Sequence, residues 1–178
     1  DASSYSVNPS LFPKLPYDPN KDFKTLAVLA QYPNVLLVNP SFPAKSVKEL
    51  VAIAKAKPNS ISYASSGNGS AQHLAGALFE VKAGVDMQHV PYKGGGPALN
   101  DVIGGHVTMM VTGTSSVLTH HKAGTLKILA VSSSERIPSL PDVPTYAQSG
   151  LGNVEFTNNW YGIFALFNQL ICELIFPA

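Results

Sequence analysis

Charge is scarce in this chain. Lys plus Arg is 12 and Asp plus Glu is 11 in 178 residues, a charged share of 13%, against about 25% in an ordinary globular domain. The net charge is +1 and the only arginine is Arg136. That balance excludes the basic footprint of a nucleic-acid binder or of an anionic-membrane binder. Cysteine is nearly absent. Cys172 stands alone, so no internal disulfide forms, and no Cys/His spacing suggests zinc. No apolar run reaches the ~20 residues of a membrane-spanning helix, and the first residues, Asp1–Tyr5, carry no basic-then-apolar leader. They read as the middle of a longer chain.

Apolar residues are plentiful, at 45%, which excludes global disorder. Gly and Pro are each present 14 times, so turns are many and elements short. Residues 1–33 are broken by Pro9, Pro13, Pro16, Pro19 and Pro33 and read as irregular, because each proline removes an N–H and biases its predecessor to extended geometry. Val35–Val38 reads as a buried strand ended by Asn39-Pro40. Ser46-Val47-Lys48-Glu49 is a capping box opening a helix that Pro58 closes.

A rhythm of strand, polar loop and helix then runs from 61 to 131. Strands are expected at Ile61–Ala64, Met87–Pro91, Val107–Val111 and Leu126–Val131. Helices are expected over 71–82, 97–103 and 116–122. A short helix is expected over 144–149 and a last apolar strand at Trp160–Leu166. The apolar runs are short and do not alternate, the pattern of parallel strands covered on both faces. The fold class is therefore α/β, with a mainly parallel sheet flanked by helices.

In such a sheet ligands bind beyond the C-terminal ends of the strands. Three loops there share one chemistry: Ser65-Ser66-Gly67-Asn68-Gly69-Ser70, Tyr92-Lys93-Gly94-Gly95-Gly96, and Thr112-Gly113-Thr114-Ser115. They are glycine and hydroxyl loops preceding helix N-termini, where free N–H groups and the helix dipole attract anions. One reading is a pocket that holds a small carboxylate by amides and hydroxyls. The other is a set of tight connections.

Known nucleotide and catalytic motifs are missing. Gly67-Asn68-Gly69 lacks the x-x-G of a dinucleotide fingerprint, and Lys93 precedes its glycines, unlike a P-loop. No Gly-x-Ser-x-Gly elbow occurs. The histidines at 73, 89, 106, 120 and 121 have no metal-ligand spacing, and Asp86 and Asp101 have no obvious carboxylate partner. No cofactor, metal or catalytic residue is expected. His73 stands beside the first glycine loop, facing the pocket or serving the structure. Lys93 is either a pocket cation or a solvated side chain. Trp160 and Tyr161 read mainly as packing.

Several long motifs then carry a family likeness. Tyr63–Gly76 (YASSGNGSAQHLAG), Val90–Ala98 (VPYKGGGPA) and Lys127–Thr145, with LAVS, Arg136 and LPDVPT, resemble in order the signatures of the Bug/TctC family. These are periplasmic solute-binding proteins of tripartite tricarboxylate transporters. Asn8–Leu11 and Trp160–Ala165 also match, so the likeness spans about residues 1–165. It implies a two-lobed protein that closes around a small carboxylate and delivers it to membrane permease subunits, in the periplasm and without catalysis. It implies that 39–158 is the complete second lobe. Residues 1–38 would be a remnant of lobe one with a crossover strand, and 159–178 a return strand with a divergent tail. The family's Pro-Ala-Gly-Gly-type loop is missing, and the chain departs from the family after Ala165, as a truncation would. The ligand-binding residues implied are Ser65, Ser66, Gly67, Asn68, Gly69 and Ser70 in the cradle, with Tyr92, Lys93 and Gly94 beside it. Thr112, Gly113 and Thr114 stand where relatives often carry Asp or Asn, and Ser4, with Tyr5 nearby, would come from lobe one. A truncated chain would expose edges that favour a homodimer. Two other functions stay open: a non-binding fragment that dimerises, and an α/β enzyme acting on small acids.

Overall fold

The computed structural model describes residues 3–152 and 159–166. It divides into two compact units, one containing 1–31 and 159–178, the other 32–158. The part of the expected tail from residue 167 onward lies outside the described residues.

In the first unit the proline-punctuated segment is less irregular than its sequence suggests. A π-helical turn, Ser3–Val7, runs into a short helix α1, Asn8–Leu11, with proline in its first turn. A ten-residue strand β1, Phe23–Tyr32, follows and pairs with β7, Asn159–Leu166, in a two-stranded sheet. The expectation of an irregular 1–33 is corrected here. Prolines stop at Pro19 and resume at Pro33, which leaves the intervening FKTLAVLAQY free to extend. Its strand character was hidden because it is mostly exposed and so shows no alternation of buried and polar positions. Tyr5 stacks on Phe164 at 4.6 Å, and Trp160 tilts against Phe164 at 6.2 Å.

The second unit is built on a five-stranded sheet of order β4-β3-β5-β2-β6. Its elements are β2 (Asn34–Val38), α2 (Val47–Ala56), β3 (Ser62–Ser65), α3 (Ala71–Ala83), β4 (Gln88–Pro91), α4 (Gly95–Ile103), β5 (Met109–Gly113), α5 (Leu118–Lys122) and β6 (Lys127–Val131). β3 runs parallel to β4 and β5, and β2 runs antiparallel to β5 and β6. Four strands thus point one way and the fully buried β2 points the other.

Alternate residues of each strand feed opposite cores. Leu36, Tyr63, Met109 and Val111 join α2 and α3 residues such as Leu50 and Phe79 in one cluster. Leu37, Ala64 and Met110 join α4 residues Ala98 and Val102 in the other. This face-switching of successive side chains is the period-2 geometry of a strand, and here both faces are covered. Three boundaries differ from expectation. The β5 ladder reaches Gly113 because β2 pairs with it up to Asn34. The helix expected over 116–122 is a 3-10 turn, Thr114–Ser116, followed by α5. Residues 144–149 form turns and no helix, because Thr145 bridges to Val131 and Gln148 folds back on Thr145.

Candidate functional site: a glycine rim at one edge of the sheet

Parallel neighbours end at the same edge, so the loops after β4, β3 and β5 emerge side by side. The helix that follows β3 packs on one face of the sheet, and α4 and α5, which follow β4 and β5, serve the other. Chain leaving adjacent strands toward opposite faces opens a crevice between them, the usual position of a ligand in α/β sheets.

The loops are tied to each other through the backbone. The Tyr92 N–H donates to the Ser65 carbonyl at 3.0 Å and the Gly94 N–H to the Ser66 carbonyl at 3.2 Å. Gly67 and Gly69 have φ of +136° and +77°, and Gly94 has +116°, values that favour glycine. These conformations turn the chain at the strand ends and aim backbone amides outward.

The predicted residues divide by what their side chains do. Ser65 is fully buried. Its Oγ lies 2.6 Å from His89 Nε2, 3.1 Å from the Gly67 carbonyl and 3.2 Å from the Gly67 nitrogen. Ser70 caps α3, its Oγ accepting the His73 N–H at 3.3 Å. These two hydroxyls shape the loop. The Ser66 hydroxyl donates to Gln72 Oε1 at 2.6 Å. Asn68 is exposed, and Gly67 is half-buried. The N–H groups of the first turn of α3 have no intrahelical acceptor and open at the same edge.

In the second loop, Lys93 is exposed and the Tyr92 hydroxyl donates to Asp101 Oδ2 at 2.6 Å. Desolvation first, then Asp101, pushes the Tyr92 phenol up to about 12, so it remains a neutral donor. In the third, Thr112 and Thr114 are buried. Thr114 donates from Oγ1 to the Pro33 carbonyl at 2.7 Å, and a Cβ on Gly113 would come within 2.3 Å of the Tyr32 ring. This segment forms a closed floor of the rim instead of an open loop. Ser4 lies in the π-helical turn of the first unit.

Sequence reasoning passed over His89. It stacks on Tyr63 at 4.9 Å and on His73 at 4.0 Å, directly beneath the first loop. The usable signal was the shared strand register, in which Tyr63 faces His89. Tyr63 itself needs Gly76, where an added Cβ would come within 2.3 Å of its ring.

A cavity of about 280 Å³ lies elsewhere, between α2, the end of α3 and residues 149–151. Its Lys55 and Lys82 stand in last helical turns, where they complement the helix dipole. Among the described residues no cluster of metal-ligating side chains occurs, and no helix is long and apolar enough to cross a membrane.

The family model described as tripartite tricarboxylate transporter family receptor, TctC, matches residues 1–168. The protein BugT of Bordetella pertussis is 36% identical over 161 residues, covering 90% of this chain and 49% of BugT. The structure of Rhodopseudomonas palustris Rpa4515 with adipate superposes with a TM-score of 0.88 at 33% identity, over 93% of this chain and 55% of that one. MatC from the same organism, with bound malate, gives 0.84 at 32% identity, over 92% and 55%. The chain thus spans about half the length of the relatives it matches.

Proposed function

The chain belongs to the tripartite tricarboxylate transporter receptor family, TctC, and we propose that it captures a small carboxylate in the periplasm for a transporter of that type. The observation that carries this reading is the rim itself. Three uncharged loops from adjacent parallel strands meet there, and the two glycine loops are locked by the Tyr92 and Gly94 amides. A carboxylate accepts several hydrogen bonds at once, and preorganised amides at strand and helix ends supply them without an arginine. Adipate and malate in two similar proteins agree with that chemistry.

In this reading Ser66, Gly67, Asn68 and Gly69 face the ligand from one side, and Tyr92, Lys93 and Gly94 from the other. Ser65 and Ser70 hold the cradle's shape. Thr112, Gly113 and Thr114 form its uncharged floor, and Ser4 is the contribution from the first unit. Residues 39–158 are lobe two, and 1–38 with 159–178 belong to lobe one. The site binds and does not catalyse. Asp101, the carboxylate closest along the chain to the second loop, is committed to the Tyr92 hydroxyl. Permease subunits of the transporter are the partners.

Calorimetric titration with malate, adipate and a panel of other mono- and dicarboxylates tests the proposal. Saturable binding of at least one is expected. Silence across the panel, both for this chain and for the longest gene product containing it, overturns the reading.

A second copy is the other partner proposed. Leu26, Val28 and Leu29 on β1 and Ile163 on β7 are 51%, 53%, 65% and 43% exposed, and a two-stranded sheet is marginal alone. Light scattering at micromolar concentration is expected to return the dimer mass. A monomer there removes the second copy from the account.

A further inference from the structure

We propose that His73 and His89 are positioning residues, a stacked pair that must stay uncharged to hold the Gly67–Gly69 loop in its receptive shape. The inference rests on the carboxylate-binding reading of this rim, although its structural half is tested without ligand.

Each histidine holds one side of the loop. His73 Nδ1 lies 3.1 Å from the Gly69 nitrogen and accepts its N–H. A ring nitrogen can accept only while it is unprotonated, so His73 is held with its proton on Nε2. His89 Nε2 sits 2.6 Å from Ser65 Oγ. That hydroxyl has one proton, and it goes to the Gly67 carbonyl, so His89 donates from Nε2. Ser65 in turn accepts the Gly67 N–H. The two rings are stacked at 4.0 Å and 15°, so charging both sets like charges face to face.

The surroundings offer no relief. On the far side of His89 stands Tyr63. Burial first, then Glu80, pushes that phenol up to about 12, so it stays neutral. Glu80 on α3 accepts the Met87 N–H at 2.7 Å. Among the described residues the sole ion pair is Lys21 with Asp18, so neither histidine has a carboxylate bridged to it. Desolvation, then the charge of His73, holds His89 below the ordinary imidazole range. The sign follows: the neutral pair contributes fully above about pH 6.5, and its contribution is lost as pH falls through the native titration. Protonation of His73 at Nδ1 places a proton against the Gly69 N–H, and the bond must open.

The test is nuclear magnetic resonance of the isotopically labelled chain between pH 8 and 5.5, with malate affinity measured in parallel. A through-hydrogen-bond coupling between the Gly69 amide nitrogen and His73 Nδ1 is expected at pH 8 and lost at the low end. The His73→Asn side chain keeps an acceptor oxygen near the Nδ1 position and cannot charge. Its Gly69 amide shift should stay flat with pH. Malate affinity of the wild type should fall relative to His73→Asn by about tenfold for each pH unit by which malate displaces the titration; malate's own ionisation is common to both proteins and cancels. A coupling that persists to pH 5.5, or a His73→Asn profile that follows the wild type, overturns the proposal. If malate fails to bind at any pH while the coupling still responds, the loop clasp stands and the carboxylate reading has lost its support.

Discussion

Asn39→Leu is expected to destabilise the second unit by about 3 kcal/mol, several times the effect of an ordinary surface change. Asn39 is 9% exposed and uses both ends of its amide. Nδ2 donates to the carbonyls of Val102 and Ile103 at 2.9 and 2.8 Å, the last turn of α4, which otherwise ends with unsatisfied acceptors. Oδ1 accepts both the Ser41 N–H at 2.8 Å and the Ser41 hydroxyl at 2.5 Å. Leucine has nearly the volume and none of the partners, and each buried group left unpaired costs about 1–3 kcal/mol. The Gly105 N–H also reaches the Val102 carbonyl, so one of the two acceptors keeps a partner, which holds the estimate to the middle of the range. Urea unfolding should show a lower midpoint with an unchanged slope. A loss under about 1 kcal/mol would mean that water replaces these bonds and that Asn39 is no bracket.

Asn39 also marks where the sequence stops being readable. Asn39-Pro40 signalled the end of a strand, and the strand does end there. Nothing local says that the amide closes a helix more than sixty residues away. Local rules performed well where the partner was local. Ser46 Oγ accepts the Glu49 N–H, as the capping box requires, although Glu49 reaches the Lys45 amide instead of that of Ser46. Gly84 ends α3 at φ +62°. The parallel rim was legible because strand–loop–helix units order themselves through right-handed crossovers. The histidine clasp was not, because it depends on the register of Tyr63 against His89 and on the stacking of a helix residue over a strand residue. β1 was missed for the opposite reason: its strand partner β7 lies at the far end of the chain, and exposure removed the alternation that marks a strand.

Carboxylate affinity should fall by roughly ten- to a hundredfold in Gly94→Ala, while Gly96→Ala stays within about twofold of the wild type. The two glycines differ in backbone, not in room. A Cβ meets nothing within 4 Å at either position, so crowding within the chain explains neither outcome. Gly94 sits at φ +116°, ψ 167°, a region essentially reserved for glycine, where a side chain costs about 1–3 kcal/mol. Gly96 lies inside α4, where alanine is favoured over glycine by roughly 1 kcal/mol. An alanine at 94 is relieved most directly by rotating the peptide. That rotation breaks the Gly94 N–H bond to Ser66 and separates the second loop from the first. Because that bond fixes the spacing of the two glycine loops, the loss should appear in affinity for the tightest-binding carboxylate of the panel. If Gly94→Ala binds as well as Gly96→Ala, the amide geometry of the rim is not what grips the ligand, and the charged Lys93 becomes the group to test next.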